Sequence, residues 1–212
     1  MKQFPFVVFE GLDGAGKTTL AELFAKRHSF SYYTSIPPEL ISIRKQIAAT
    51  HSPISTFHFY SLCNIMRNHE YALQLNDSGV VADRYIFSTF AYHSLLMQQD
   101  LSYHFRLLQS EQKFLLPDVV VYVTASQPVI NQRIANRSQE VPIQWYGDKV
   151  SLEYNVSESY KRIFALVDIP ILQIDTTNSD PEQAYSILCH ELDRISKTTP
   201  VLGSIEFSAS TN

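Results

Sequence analysis

Three of the six glycines in this 212-residue chain lie within six positions, at Gly11, Gly14 and Gly16. They belong to the run Gly11-Leu-Asp-Gly-Ala-Gly-Lys-Thr18, which matches the pattern G-x-x-x-x-G-K-[ST] at every fixed position. A short apolar run precedes this segment, and apolar residues at helical spacing follow it. This context predicts a loop whose backbone N–H groups surround phosphate oxygens at the positive end of a helix.

The remainder of the chain alternates between strand and helix patterns. Buried strands are predicted at 4–10, 31–35, Val80–Asp83, Val119–Thr124 and Ile171–Asp175. Helices are predicted at Lys17–His28, 39–49, 54–74, 88–98, 101–114, 128–137, 152–167 and 180–195. The alternation predicts an α/β, three-layer P-loop NTPase fold: five parallel strands flanked by helices, in a single domain over 1–212 with a loosely held tail at 198–212. Ligands of such sheets bind at the carboxyl ends of the strands, where Glu10, Ser35 and Asp83 lie.

Composition narrows the class of partner. The chain has 17 Lys and Arg against 21 Asp and Glu, a formal net charge of −4. A nucleic-acid polymer is therefore not expected as a partner, whereas a small anionic substrate needs only a local cluster of cations. With two cysteines and an N-terminal apolar run too short for a signal or a membrane span, we expect a cytoplasmic protein with no membrane contact.

The residue after the third strand separates the possible reactions. Asp83 ends the apolar run Val80-Val81-Ala82, and its neighbour is Arg84 rather than a glutamate that would orient water. The chain also lacks the N-K-x-D segment that reads guanine in GTPases. A cation at this place suits an anionic acceptor of a phosphoryl group. The seven histidines have no metal-ligand spacing with the cysteines and are expected on the surface or in the core.

Two segments, FEGLDGAGKTT and VVADRYIFSTFAY, resemble the thymidylate kinase family of nucleoside monophosphate kinases. The stretches SIPPELISIRK and FHFYSLCN are similar to a divergent branch that includes thymidylate-kinase-like UMP-CMP kinases. The resemblance implies transfer of the γ-phosphoryl group of ATP to a pyrimidine nucleoside monophosphate, either dTMP or a related UMP, CMP or dUMP acceptor. It also implies Mg²⁺, nucleotide partners, a homodimer and a small lid at about 137–149.

The resemblance carries roles to individual positions. It implies that Lys17, Asp83 and Arg84 are catalytic, together with a cation of the lid, for which Arg137 is the first candidate and Lys149 the second. It also implies that Thr18 and Asp83 hold Mg²⁺. ATP is expected at Gly11, Asp13, Gly14, Ala15, Gly16, Lys17, Thr18, Thr19 and Arg133.

The acceptor side follows in the same way. Asp13 matches the carboxylate at the sugar 3′-hydroxyl, Arg84 the arginine at the acceptor phosphate, and Tyr60 the ring that stacks on the base. Tyr92 matches an aromatic beside sugar and base, and Ser88 lies in the same motif.

In two places the sequence departs from the family pattern. Asn64 stands where thymidylate kinases usually have a base-contacting arginine, with Arg67 on the same predicted helix face as a substitute. The segment SIPPE replaces R-E-P-G, and Arg44 is the candidate for its missing phosphate-binding arginine.

Two other functions remain open at this point. A kinase acting on a nucleoside or another small-molecule hydroxyl needs a general base, for which Glu39 is the first candidate and Glu10 the second. A non-catalytic nucleotide-binding regulator would keep the fold without turnover. An anionic phosphate acceptor needs no base, so positioning and charge stabilisation suffice for it.

Overall fold

The computed structural model describes residues 4–111, 114–136 and 149–198, and side chains in the last range from Val156 to Lys197. Five strands occur in these ranges: β1 (Phe6–Gly11), β2 (Ser31–Thr34), β3 (Val80–Asp83), β4 (Val119–Thr124) and β5 (Ile171–Asp175). The α-helices are α1 (Lys17–His28), α2 (Ile41–Ala49), α3 (Pro53–Gln74), α4 (Ile86–Leu96), α5 (Ser102–Ser110), α6 (Gln127–Asn136), α7 (Lys149–Phe164) and α8 (Pro181–Thr198).

All five strands are parallel, in the order β2-β3-β1-β4-β5. Strand β1 lies in the centre, with Val8 opposite Ala82 on β3 and Val120 on β4. Strands β2 and β3 lie on one side of β1 and strands β4 and β5 on the other, so the strand order reverses at β1 and opens a crevice at the carboxyl ends of these strands. The predicted five-stranded parallel sheet is confirmed.

Alternate side chains of β1 enter two separate cores. Val7 and Phe9 pack with α1 and α8 on one face, and Phe6 and Val8 pack with α3, α4 and α7 on the other. Each of the four side chains is at most 2% exposed. Two buried faces explain why the strands are continuously apolar rather than alternating, and they confirm the three-layer arrangement.

Several predicted bounds shift for local reasons. The helix predicted at 39–49 divides into a short 3-10 helix (Pro38–Leu40) and α2, because the Leu40 N–H bonds the carbonyl of Pro37 rather than a residue four back. Helix α3 begins one residue early, with Pro53 in its first turn and the Ser52 hydroxyl accepting the Ser55 N–H at 3.3 Å. Of the predicted lid at 137–149 the structure describes only the backbone of Lys149, and of the tail at 198–212 only that of Thr198.

The start of the glycine-rich loop is fixed by close packing. Gly11 has φ 143°, and a Cβ there would lie 2.2 Å from the carbonyl oxygen of Val123 on the neighbouring strand. Only glycine fits such an approach. The loop therefore leaves β1 directly above the carboxyl edge of the sheet. No helix within the described ranges is long and apolar enough to cross a membrane.

Candidate active site

A cavity of about 290 Å³ lies above the carboxyl ends of β1, β2 and β3. It is walled by the glycine-rich loop, the segment after β2, and side chains from α1 to α4. Its lining consists of Asp13, Lys17, Thr18, Thr34, Ser35, Ile36, Arg44, Tyr60, Asp83, Arg84, Ser88, Thr89, Tyr92 and His93. Segments distant in sequence thus converge on one space, as the parallel sheet predicts.

The carboxylate of Asp83 joins the loop to the third strand. Its Oδ1 lies 2.9 Å from Lys17 Nζ, and its Oδ2 accepts hydrogen bonds from the Thr18 hydroxyl at 2.6 Å and the Tyr32 hydroxyl at 3.2 Å. Lys17 and Thr18 open α1, so the helix start and the end of β3 are held together. Sequence reasoning missed Tyr32, because an edge-strand tyrosine has no motif to mark it.

Burial and pairing set the protonation states of this cluster. Burial raises the pKa of Asp83, but Lys17 and the Thr18 hydrogen bond outweigh it and hold that pKa below its usual value. Burial, followed by the charge of Arg84, lowers the pKa of Lys17, although the Asp83 carboxylate opposes this. Paired in this way, a buried lysine and a buried aspartate are stable as ions.

Arg84 is the residue that follows β3, and its guanidinium points into the same cavity. Its backbone has φ 69°, the left-handed region that side chains rarely adopt and that costs about 1–2 kcal/mol. Nη2 donates to Asp13 Oδ1 at 2.6 Å, and Nη1 donates to the Tyr160 hydroxyl at 3.3 Å. The guanidinium carbon also lies 5.3 Å from the centre of the Tyr92 ring. A strained backbone at a charged cavity residue is typical of functional sites.

The Glu10 side chain lies next to this cavity but does not line it. Its side chain is fully buried, with Oε1 accepting the backbone N–H groups of Tyr85 and Ser88 and Oε2 accepting the Tyr160 hydroxyl at 2.9 Å. Burial raises the pKa of Glu10 to about 6. Glu10, the second candidate for the base of a hydroxyl kinase, thus has both oxygens directed into the protein.

Six of the eight residues expected to bind the acceptor line the cavity, and four of them come from helices α2 to α4. Tyr60 reaches it from α3, Arg44 from α2, and Ser88 and Tyr92 from successive turns of α4. Burial raises the pKa of Tyr60, and Arg44 opposes the shift through its charge and a hydrogen bond. Arg44 thus lies beside the ring proposed to stack on the base.

Two expected base contacts lie elsewhere. Asn64 is 3% exposed, does not line the cavity, and donates through Nδ2 to the Thr89 hydroxyl oxygen at 2.9 Å. Arg67 donates to the carbonyls of Thr34 and Ile36 at 2.8 and 2.9 Å and pairs with Glu70. The guanidinium of Arg67 contacts the segment after β2 and does not line the cavity. Its contact with a base stays a prediction.

Sequence reasoning missed several wall residues. Thr89 and His93 lie one turn apart on α4, and Thr34, Ser35 and Ile36 follow β2. A signal for the first pair was available: Ser88, Thr89, Tyr92 and His93 form polar positions at helical spacing in an otherwise apolar helix. His93 also borders the cavity, and at 1% exposure with both ring nitrogens hydrogen-bonded it is the satisfied core histidine that the sequence predicts.

A second cavity, of about 360 Å³, lies on the other side of the loop. It is lined by Gly14, Gly16, Thr19, Leu20, Arg133, Asn136, Thr176, Ser179, Asp180, Pro181 and Ala184. Arg133 donates to the hydroxyl and carbonyl oxygens of Thr176, both at 2.8 Å, and to the Gly14 carbonyl at 3.4 Å. The expected Arg137 lies outside the described residues, as does the side chain of Lys149.

The donor set suits a hard cation at one place. The Thr18 hydroxyl and the Asp83 carboxylate are adjacent oxygens at the start of the loop helix, the ligand type that Mg²⁺ prefers alongside phosphate oxygens. Within the described ranges, no three His, Cys, Asp or Glu side chains are grouped so as to hold a metal ion. The Thr18–Asp83 pair therefore fits a magnesium carried with a nucleotide rather than a cage made of protein alone.

A central parallel sheet, a phosphate-binding loop and a cationic cavity at the carboxyl edge define the class of P-loop nucleotide kinases. A sequence model of thymidylate kinases matches residues 9–186. The chain belongs to the thymidylate kinase family and is an ATP-dependent nucleoside monophosphate kinase.

Individual relatives agree with the family match. The probable thymidylate kinase of Picrophilus torridus is 29% identical over 191 residues, covering 85% of this chain and 90% of its own. The thymidylate kinase of Mycoplasmopsis agalactiae is 26% identical over 197 residues, covering 84% and 89%.

Solved structures share the fold. The thymidylate kinase of Candida albicans has a TM-score of 0.66 at 17% identity, covering 92% of this chain and 93% of its own. The deoxyadenosine kinase of M. mycoides with bound dATP has a TM-score of 0.67 at 17% identity, covering 88% and 98%. At this identity the likeness shows the fold alone.

Proposed function

We propose that this chain transfers the γ-phosphoryl group of ATP to a pyrimidine nucleoside monophosphate, either dTMP or a related UMP, CMP or dUMP acceptor. The observation that carries the proposal is the pairing of charges in the cavity. Its two carboxylates, Asp13 and Asp83, are each bound to a cation, Arg84 and Lys17 respectively. Among the described residues that line the cavity, three cations, Lys17, Arg44 and Arg84, face two carboxylates that are both paired. The cavity therefore offers positive charge to an anion and, within those residues, no unpaired carboxylate to deprotonate a hydroxyl.

Lys17 and Arg84 act on opposite ends of the transfer. The glycine-rich loop and Lys17 hold the β and γ phosphates of ATP, and Arg84 holds the phosphate of the acceptor. Because the acceptor oxygen is already anionic, the protein's task is to align the two nucleotides and to stabilise the charge that develops between them. Arg44 adds a second cation at the acceptor phosphate, and the lid arginine Arg137 completes the set.

The remaining roles follow the cavity walls. Asp13 receives the sugar 3′-hydroxyl, Tyr60 stacks on the base, and Ser88 and Tyr92 border the sugar. Thr18 and Asp83 hold Mg²⁺, which, when bound, neutralises phosphate charge. ATP extends from the loop towards Gly14, Gly16, Thr19 and Arg133, with Ala15 contributing backbone only.

The hydroxyl-kinase alternative depends on Glu39. That residue is exposed and does not line the cavity, and the buried oxygens of Glu10 are committed to internal donors. Neither carboxylate is placed to take a proton from an acceptor, which favours the monophosphate over the nucleoside.

The test is acceptor-dependent ADP formation across dTMP, dUMP, UMP and CMP, with thymidine and deoxyadenosine as hydroxyl acceptors. We expect turnover with at least one monophosphate and none above background with the nucleosides. Turnover restricted to nucleosides supports the hydroxyl kinase, and tight ATP binding with no turnover supports a regulator.

We further propose a cytoplasmic homodimer that contacts neither membranes nor nucleic-acid polymers. Ile54, Leu62, Ile65 and Leu73 form an exposed apolar stripe along α3, each with 46–61% of its surface accessible. Large apolar side chains repeated along one helix face are typical of an interface. A second copy packing on this stripe gives the homodimer that the sequence resemblance implies.

A further inference from the structure

Arg84 is anchored on two sides that differ in exposure. On one side it pairs with Asp13, whose side chain is 74% exposed. On the other side it donates to the hydroxyl of Tyr160, a fully buried residue of α7. An incoming anion therefore competes with the Asp13 carboxylate on the exposed side of the guanidinium. The Tyr160 hydroxyl contacts the guanidinium on its buried side.

The direction of the buried contact is fixed by counting protons. A tyrosine hydroxyl has one proton and accepts through its oxygen lone pairs, while an ionised carboxylate only accepts. Tyr160 directs its proton to Glu10 Oε2 at 2.9 Å, so the hydroxyl oxygen presents a lone pair to Arg84 Nη1. The guanidinium only donates, and the three groups form a chain without a conflict of donors.

Glu10 is itself held rigidly. Its Oε1 accepts the N–H groups of Tyr85 and Ser88 at 2.9 and 3.2 Å, at the start of the helix that directly follows Arg84. One buried carboxylate thus fixes both the backbone beside Arg84 and the hydroxyl behind its side chain. This role uses a glutamate and a tyrosine that the proposed mechanism leaves without a task.

We propose that Tyr160 is a positioning residue for the acceptor: backed by Glu10, it holds the Arg84 guanidinium in place while the acceptor phosphate displaces Asp13. The inference rests on the proposed function, because it takes the anion at Arg84 to be the acceptor monophosphate. Without the Tyr160 hydroxyl, Arg84 keeps its pair with Asp13 and its hydrogen bond with Tyr92. The acceptor must then break the Asp13 pair while the guanidinium lacks its contact on the buried side. The loss should weaken binding of the acceptor and not of ATP, because Lys17 and the loop proposed to bind ATP do not contact Tyr160.

The experiment compares Tyr160→Phe with Tyr122→Phe in steady-state assays that vary dTMP and ATP separately. The two rings lie 5.2 Å apart in one aromatic cluster, and the Tyr122 hydroxyl bonds Ser157 at 3.4 Å rather than Arg84. We expect Tyr160→Phe to raise the KM for dTMP about tenfold, as the loss of one hydrogen bond to a charged group predicts. The KM for ATP should stay within about twofold, and Tyr122→Phe should resemble the wild type in both.

A second variant covers a loss of folding in the first. Glu10→Gln replaces an acceptor with a donor opposite Tyr160, turns the hydroxyl proton towards Arg84, and so predicts the same selective rise in KM for dTMP. The double variant Glu10→Gln with Tyr160→Phe should be no worse than the more impaired single variant, because both changes act on one contact.

The outcomes separate the two proposals. Equal KM values for dTMP in wild type, Tyr160→Phe and Glu10→Gln overturn the positioning role while leaving the proposed function intact. Equal increases for dTMP and ATP, or the same effect in Tyr122→Phe, indicate general damage and also overturn it. A wild-type enzyme that uses no monophosphate contradicts the proposed function itself, and the positioning role with it.

Discussion

At the scale of single residues, the centre of the site is one buried pair of opposite charges. Lys17 is 6% exposed and Asp83 8%, and each is the nearest opposite charge of the other. An ion at this depth is tolerated only when it is paired and hydrogen-bonded. A nucleotide phosphate bound at Lys17, as proposed, would keep an anion beside this buried lysine.

Replacing Lys17 with alanine removes this charge from the transition state. We expect the rate of phosphoryl transfer to fall by about 100-fold or more, since electrostatic stabilisation of the transferring group is lost. Turnover at saturating dTMP measures the effect, with Lys26→Ala as the control because Lys26 is exposed on the same helix. A Lys17→Ala enzyme with near-wild-type turnover contradicts the assignment.

His93 gives stability a pH dependence of known sign. Burial lowers its pKa from 6.5 to about 4, while its ring nitrogens face the Thr89 carbonyl and the Thr56 hydroxyl. Between these pH values the unfolded chain binds a proton that the folded chain does not, so acidification favours unfolding. The stability contribution is complete above pH 6.5 and is lost as the pH falls towards 4, by about 3 kcal/mol.

Urea unfolding at pH 7 and at pH 4 measures this difference for the wild type and His93→Gln. We expect the free energy of unfolding of the wild type to fall by about 3 kcal/mol more than that of the variant. His104→Gln, at an exposed position of α5, serves as the control and should behave as the wild type. An identical pH dependence in all three would show that His93 is not the source.

Residues carried by a motif could be placed from sequence, and residues placed only by packing could not. Lys17, Thr18, Asp83 and Arg84 occur at the predicted edge of the sheet because strand ends and loop positions are fixed by the pattern. The contacts of Asn64 depend on which way α3 rotates against α4, a property of the assembled core. A linear pattern does not contain that rotation.

At the scale of elements, the segment after β2 is the part of the cavity most dependent on a distant helix. Thr34, Ser35 and Ile36 line the cavity, and two of their carbonyls are held by Arg67 from α3. The Arg67 guanidinium also lies over the ring of Tyr33, at 5.2 Å. The Arg67 side chain thus fixes the position of the segment after β2 relative to the sheet.

Arg67→Lys keeps the charge but loses the forked geometry that reaches both carbonyls. We expect the free energy of unfolding to drop by about 1–3 kcal/mol and the KM for every monophosphate to rise together. Assays with dTMP and UMP, beside the exposed control Arg106→Lys, measure the ratio of the two acceptors. A changed ratio of dTMP to UMP activity with unchanged stability would show instead that Arg67 contacts the base.

Element bounds were most predictable where the ends are marked by burial or by special residues. Helix α1 and strands β3, β4 and β5 begin and end as predicted. The short 3-10 helix before α2 was not predicted, because it depends on two local hydrogen bonds, from the Leu40 N–H to the Pro37 carbonyl and from the Ile41 N–H to the Pro38 carbonyl. Helix α5 ends at Ser110, four residues before the predicted bound at 114.

At the scale of the whole molecule, strand order determines which ends meet. Because β1 lies between β3 and β4, the glycine-rich loop opens beside the end of β3, and the Asp83 pair with Lys17 becomes possible. Alternation of strands and helices predicted the parallel sheet, but not the order β2-β3-β1-β4-β5. That order depends on crossovers whose direction is set by helix packing on the two faces.

The exposed stripe on α3 predicts an assembly that a single charge disrupts. Ile65→Asp should convert the homodimer into a monomer, since it places a carboxylate in an apolar contact. Sedimentation velocity measures the change, with Ile187→Asp on α8 as a control at an equally apolar exposed position. A wild type that sediments as a monomer, or a dimer unaffected by Ile65→Asp, contradicts the interface.

The unequal exposure of the two carboxyls around Arg84 has a practical consequence. Asp13 faces water, whereas Glu10 is sealed within the protein although it lies only one hydroxyl away from the same guanidinium. A water-borne reagent that activates carboxyl groups therefore reaches the first and not the second. Covalent labelling can therefore modify Asp13 at the mouth of the cavity while Glu10 stays unmodified.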